Sequence, residues 1–278
     1  MKQATVWTVS LTLLGLLVGG LYWWQLEQRT GPPNAANPPA ASAPPAAEAP
    51  TQAAASAIRY PLDVAAPAGT SATASGANPP TALAEALMEV FGERAVLQWL
   101  NVDNFAHRVA VTVDNLARPH APARFWPVHP TPGRFATQSA GDVESIAGTN
   151  SKRYSAFVAW VDTLDTKQIV ALYRRLYPQW QRAYEDLGYP GRYFNDRVIA
   201  VIDHLIETPS VAEPLEVKLA HVKGPIQPAR PWVLVEFADP ELEERSSGQR
   251  LMLRIGTENA RRLKAKLAEL RAALTQPR

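Results

Sequence analysis

The 278-residue sequence has no cysteine. Thiol catalysis, disulfide staples and cysteine-based metal sites are thereby excluded, while an oxidising compartment is permitted. Histidine is scarce as well. His107, His120, His129, His204 and His221 form no HExxH and no close pair with metal-ligand spacing, so neither a metal nor a cofactor is expected. No G-x-S-x-G elbow, phosphate-cradling glycine loop or EF-hand loop occurs, and no catalytic residue is singled out. Charge of neither sign dominates: 28 Lys and Arg against 26 Asp and Glu leave +2, far from the dense basic stripe that nucleic-acid binding needs. Nucleic acid is therefore not an expected partner. The 26 acids are scattered, and a hydrolytic Asp/Glu pair brought together by folding is compatible with the sequence.

The N-terminus carries the strongest signal. Residues 1–3 are followed by Ala4–Trp24, 21 residues without a charge. As a helix this stretch would be about 31 Å long, matching a hydrocarbon core of about 30 Å. Tyr22, Trp23 and Trp24 fall where an interfacial aromatic belt belongs. A cleaved signal peptide would have a shorter apolar region and small residues beyond it, whereas bulky YWWQLEQR follows here. The reading is an uncleaved membrane helix. Lys2 before the span and balanced charge after it predict residues 1–3 in the cytoplasm and the remainder in the periplasm of a bacterial inner membrane. Gly15 and Gly19 form a GxxxG pair that would let two helices approach as a homodimer, although glycine is common in membrane helices anyway.

Residues 25–80 are built largely of Pro and Ala with few charges, and cannot bury enough apolar surface to order themselves. They read as a disordered tether reaching roughly 170 Å if fully extended. Residues 81–278 read as a mainly helical domain with a small two-stranded β element. TALAEALMEVFG, ended by its glycine, ERAVLQWL and NFAHRVAVTVDNL supply three helices, the last ambiguous because Val109, Val111 and Val113 also alternate. Asp165 is placed to cap the next helix. Its aromatic seam, Tyr173, Tyr177, Trp180 and Tyr184, keeps phase across Pro178, which predicts a core stripe on a kinked helix. Leu215–Leu219 and Pro231–Phe237 are strand patterns joined by a long loop. Asp239 should cap a short helix, another should cover about Gly248–Arg254, and Thr257 should cap the last. There Leu263, Leu267, Leu270 and Leu274 form a seam that should dock on the domain and leave the Lys and Arg residues in water.

The blocks VFGERAVLQWL, VTVDNLARPHAPARFWPV, ALYRRLYPQWQRAYEDLGYPGRYFNDRVIAVIDHL, RPWVLVEFADPELE and RRLKAKLAELR, in this order, resemble a bacterial family known only as domain of unknown function 3014. The resemblance covers nearly all of residues 81–278 and implies an envelope protein. It brings no activity, cofactor or site residue.

Two candidate sites remain. In YFNDRVIAVIDHL, Asp196, Arg197, Asp203 and His204 gather on one side of a helix at about 100° per residue, opposite Ile199, Val201, Ile202 and Leu205. That segregation describes an amphipathic helix with a solvated or partner-facing polar side. Asn195 alone falls at an apolar angle and is read as the N-cap. The other candidate is the long irregular stretch Ala117–Gly148, where Arg124, Phe125, Trp126, Arg134 and Phe135 sit in a proline-stiffened frame. Aromatic and arginine residues on a rigid loop suit a partner contact, but Phe125 and Trp126 could equally pin the loop to the core. The functional expectation is a scaffold or accessory binding module of an envelope complex. The alternative is an anchored cell-wall hydrolase.

Overall fold

Asp165 accepts the Lys167 and Gln168 backbone N–H groups at 2.7 and 3.1 Å, as its position before an apolar-periodic run predicts. In the computed structural model residues 57–63, 79–219 and 234–276 are described, all within the compact unit Ala53–Arg278. Among them no helix is long and apolar enough to cross a membrane. The span Ala4–Trp24, the Gly15/Gly19 pair and most of the tether lie outside the described residues.

The helices are α1 (Pro79–Phe91), α2 (Glu93–Trp99), α3 (Phe105–Leu116), α4 (Lys152–Thr163), α5 (Thr166–Arg175), α6 (Tyr177–Glu185), α7 (Phe194–Ile206), α8 (Pro240–Glu243), α9 (Ser247–Arg254) and α10 (Thr257–Thr275). The mainly α reading holds, and α3 resolves the ambiguous valine run as helix. Tyr177, Trp180 and Tyr184 are buried with Leu83, Leu87, Val96 and Phe194 in the main core, so the aromatic seam is core as expected. The predicted kink is instead a break. α5 ends at Arg175, and Leu176 leaves helical geometry at φ −95° and ψ 5°. α6 then begins with Pro178 in its first turn, where the missing N–H has no helical partner to lose. Trp180 Nε1 bridges the break by donating to the Tyr173 carbonyl at 3.2 Å.

α10 packs on α4, α5 and α7, and its leucine seam joins Val170, Ile199 and Ile202 in a second core cluster. Its cations are not simply wet. Arg262 pairs with Asp162 at 2.5 Å, Lys266 donates to the Leu164 carbonyl at 3.2 Å, and Lys264 donates to the Thr208 carbonyl. Thr257 is not the cap of α10. Gly256 holds that position at φ 92°, and Glu213 Oε1 accepts the Thr257 N–H and hydroxyl at 2.6 and 2.8 Å.

The expected strand pair forms as antiparallel β3 (Val217–Leu219) and β4 (Val235–Phe237); most of the connecting loop lies outside the described residues. A second hairpin was not anticipated: β1 (Thr137–Ala140) pairs with β2 (Val143–Ile146). Its two-residue turn places Gly141 at φ 63°, which glycine adopts without steric cost. Ile146 N–H donates to the Leu215 carbonyl at 2.8 Å and joins the two hairpins. The domain also begins earlier than position 81. α1 starts at Pro79, and residues 57–63, assigned to the tether by composition, are hydrogen-bonded to α7.

Candidate functional site

The chain leaves α3 through Arg118 and makes a 3₁₀ turn at Ala123–Phe125. Arg124 and Phe125 face α3 from this turn. The Arg124 guanidinium lies 4.6 Å from the Phe125 ring centroid, and Phe125 meets His107 edge to face at 6.1 Å. Arg108 donates to the Arg124 carbonyl at 2.5 Å and Thr112 to the Phe125 carbonyl at 3.1 Å. These two candidates therefore anchor the loop.

Trp126 begins a different surface. Its indole N–H is satisfied within the loop, by the Ala121 carbonyl at 3.2 Å. Beyond it the backbone runs beside the end of α2: Asn101 N–H donates to the Pro127 carbonyl at 2.9 Å, and His129 N–H to the Trp99 carbonyl at 2.8 Å. Residues 131–133 are held from the other side by Arg153 of α4. Its Nε donates to the Pro132 carbonyl at 3.1 Å, and Nη2 reaches the Gly133 carbonyl at 3.0 Å and the Thr131 hydroxyl at 3.5 Å. A long irregular stretch is thus fixed by hydrogen bonds to α2, α3 and α4.

Between this segment, α4, α9, the start of α10 and β4 lies a groove of about 590 Å³. Trp126, Arg134 and Phe135 line it together, joined by Trp99, Tyr154 and Phe157. Trp99, Phe157 and Trp160 form a three-ring cluster with centroids 5.6–6.2 Å apart. Arg153 and Arg254 add two guanidinium groups. Among the described residues no Asp or Glu lines the groove.

The two arginines differ. Among the described residues Arg153 gives its hydrogen bonds to neutral oxygens alone, including Asn150 Oδ1 at 3.0 Å, and has no carboxylate partner. Arg254 lies 5.9 Å from the Phe135 centroid and 5.1 Å from that of Phe237, and donates to the Val235 carbonyl at 2.7 Å. Its Nε is buried without a partner among the described residues. Burial draws its pKa below the ordinary arginine value, partly opposed by Glu243, whose carboxylate lies 3.9 Å away and is also engaged by Arg250. A guanidinium in this setting stays charged and favours an incoming anion.

The polar side of α7 does not converge on a site. Asp203 pairs with Arg271 of α10, His204 Nε2 contacts Ser246 Oγ at 2.8 Å, and Arg197 reaches Asp114 at 3.3 Å. Asp196 accepts two backbone N–H groups from residues 59 and 60. This side is half-buried and engaged by neighbouring elements rather than fully solvated. Asn195 is not a cap either. Tyr193 occupies that position, and Asn195 is completely buried, its N–H given to the Tyr177 hydroxyl at 3.1 Å. Asp114, itself buried, binds Arg118 at 2.8 Å and Tyr189 at 3.1 Å, and its charge raises the Arg118 pKa. Its neighbours are cations and a phenol, with no second carboxylate bound to it among the described residues. Among the described residues no three His, Asp or Glu side chains are grouped to hold a metal.

Sequence reasoning found one wall of the groove and missed the other. Arg153, Tyr154 and Phe157 sit in an unremarked helix, and Arg254 on a short one. The only local signal was the density of aromatic residues in KRYSAFVAW.

A family model described as protein of unknown function (DUF3014) matches residues 105–271. That stretch runs from the first residue of α3 into α10, and contains all of the groove residues named above except Trp99. No curated protein and no solved structure matches the chain.

Proposed function

The chain belongs to the DUF3014 family, and from that premise we propose that it is a membrane-tethered binding module of a bacterial envelope assembly. In this reading its helical domain grips a partner polypeptide that presents acidic side chains beside aromatic or aliphatic ones. The observation that carries the reading is the groove: aromatic walls, arginines on two sides and no carboxylate in its described lining. Apolar clefts with arginine and aromatic anchors are where binding energy concentrates at interfaces. The absence of acid in the lining selects an anionic occupant by charge complementarity. The charge-free stretch Ala4–Trp24 and the Pro/Ala run behind it support a module held on a membrane at a distance.

Magnitudes fit a modest affinity. Burying an aliphatic or aromatic anchor gains about 1.5–3 kcal/mol. A hydrogen bond to a charged group adds about 1.5–3 kcal/mol. Two of each, less the several kcal/mol lost on association, give a micromolar or weaker contact. Confinement of both partners to one membrane raises the effective concentration to about the millimolar range, which suffices for such a contact. A wall-cleaving enzyme would need two carboxylates at a cleft, and the buried acid Asp114 is instead held by arginines.

The test is photocrosslinking in membranes, with the reactive group in place of Phe135 in the groove or of exposed Leu97 as control. The Phe135 position should attach to one polypeptide, at a site mapped by mass spectrometry beside acidic residues, and Arg134→Glu should abolish the attachment. Equal labelling from Leu97, or attachment to basic segments, would refute the groove. Reporters fused to the C-terminus that signal only from the cytoplasm would refute the envelope setting.

A further inference from the structure

Residues 57–63 fall inside the stretch that composition assigns to the tether, yet they are hydrogen-bonded to the start of α7. Three polar side chains, of Tyr193 at the cap and of Asn195 and Asp196 in the first turn of α7, bind the backbone of this segment. Asp196 Oδ2 accepts the Arg59 N–H at 3.0 Å, and Oδ1 accepts the Tyr60 N–H at 2.8 Å. Asn195 Nδ2 donates to the Tyr60 carbonyl at 2.9 Å. The Tyr193 hydroxyl accepts the Leu62 N–H at 2.9 Å.

Side chains supply the rest. Tyr60 and Leu62 are half-buried and pack with Val170, Ile199 and Leu267, while Arg59, Pro61 and Asp63 point outward. Pro61 disfavours helical backbone at Tyr60, the chain bends at Arg59 and Tyr60, and both apolar side chains meet the same core cluster. Asn195 is completely buried on the apolar side of its helix, and its Oδ1 has no partner among the described residues. A buried amide with an unmet acceptor is destabilising in a position where Leu or Ile would pack. It is accounted for by the carbonyl it holds.

We propose that the N-terminal turn of α7 is a peptide-binding site for a short segment of the pattern aromatic–Pro–aliphatic, and that Tyr60–Leu62 is its reversible ligand in cis. The hydrogen bonds read backbone, so the two apolar side chains and the proline set selectivity. This site is independent of the groove. Its consequence for reach rests on the membrane-tethered reading. With the segment docked, residues 25–56 separate the membrane span from the first attached residue. With it released, residues 25–78 do. At about 3.1 Å per residue the extended limit changes from roughly 100 Å to roughly 170 Å.

Hydrogen exchange on the full chain, with a labelled peptide of residues 57–63, tests the proposal. In the wild type the Arg59, Tyr60 and Leu62 amides should be protected, yet open well before the amides of Ile199–Leu205. Asp196→Ala should lower protection at Arg59 and Tyr60 at least tenfold and leave the α7 core unchanged. Should that variant unfold, Asp196→Asn keeps one acceptor oxygen and should expose one of the two amides. The peptide should bind the full-length Tyr60→Ala/Leu62→Ala variant, whose own segment is released, and compete poorly for the occupied wild type. Exchange of the wild-type amides only with global unfolding would overturn the proposal by making the segment a fixed part of the core. So would failure of the peptide to bind the double variant.

Discussion

Gly248→Ala sets helix propensity against close packing, and the structure decides which prevails. Gly248 is the second residue of α9, where Ala is favoured over Gly by up to about 1 kcal/mol in an open helix. This helix start is fastened to the end of α3: Ser247 N–H donates to the Arg118 carbonyl at 2.8 Å, and its hydroxyl to the Asn115 carbonyl at 2.9 Å. A Cβ at position 248 would lie 2.6 Å from Leu205 Cδ2 and 2.7 Å from the Leu116 carbonyl oxygen. The leucine methyl can turn away. The carbonyl belongs to backbone, and an ordinary carbon–oxygen contact is about 3.3 Å or more, so α9 or the end of α3 must move by about half an ångström. Overpacking of that kind costs about 1–3 kcal/mol. The net expectation is a loss of about 1–2 kcal/mol and a melting temperature lower by a few degrees. Because α9 carries Met252 and Arg254, the groove should loosen with it. Gly148→Ala is the control, since a Cβ there meets nothing within 4 Å. Urea titration followed by tryptophan fluorescence gives both values. Stabilisation by Gly248→Ala, as at an open helical site, would refute the close approach of α9 to α3.

Ile202→Ala should cost about 2–5 kcal/mol in the same titration, because its side chain is buried between α7 and α10. Asp203→Ala removes a partly exposed ion pair with Arg271 and should cost about 1 kcal/mol or less; a larger loss at Asp203 than at Ile202 would reverse the two faces. Alkaline pH should unfold the domain. Burial raises the Tyr173, Tyr177 and Tyr184 hydroxyls above the ordinary value of 10.0. Below that value both states are protonated and stability is full. Above it the unfolded chain releases protons that the fold retains, so stability falls by about 1.4 kcal/mol per pH unit for each tyrosine still protonated. Phenolate absorbance should show these tyrosines titrating only with unfolding, and complete titration of a folded domain would contradict their burial.

How far the sequence could be read depended on how local the determining contacts are. Asp165 and Asp239 cap through N–H groups two or three residues away, and both were legible. Pro178 was legible as a disturbance. The persistence of the seam hid the break, because a single non-helical residue, Leu176, barely shifts its phase. β1 is mostly exposed and four residues long, so no alternation announced it. Asn195 was visibly out of pattern, but local reasoning offered only a cap. Its partner carbonyl lies 135 residues away, at Tyr60. The groove divided in the same way. Trp126, Arg134 and Phe135 are neighbours in an irregular stretch, whereas Arg153 and Arg254 meet them only through packing of α4 and α9.

The central claim is an aromatic, cationic groove that selects an acidic partner segment. It is tested most directly by fluorine NMR of the chain carrying fluorinated tryptophan, titrated with a short peptide of one tryptophan flanked by glutamates and with its lysine counterpart. The glutamate peptide should shift the Trp99 and Trp126 resonances and leave buried Trp180 unmoved. Raised salt should weaken the effect, Arg134→Glu should remove it, and the lysine peptide should do nothing. Equal shifts from both peptides, or shifts that avoid Trp99 and Trp126, would contradict the account.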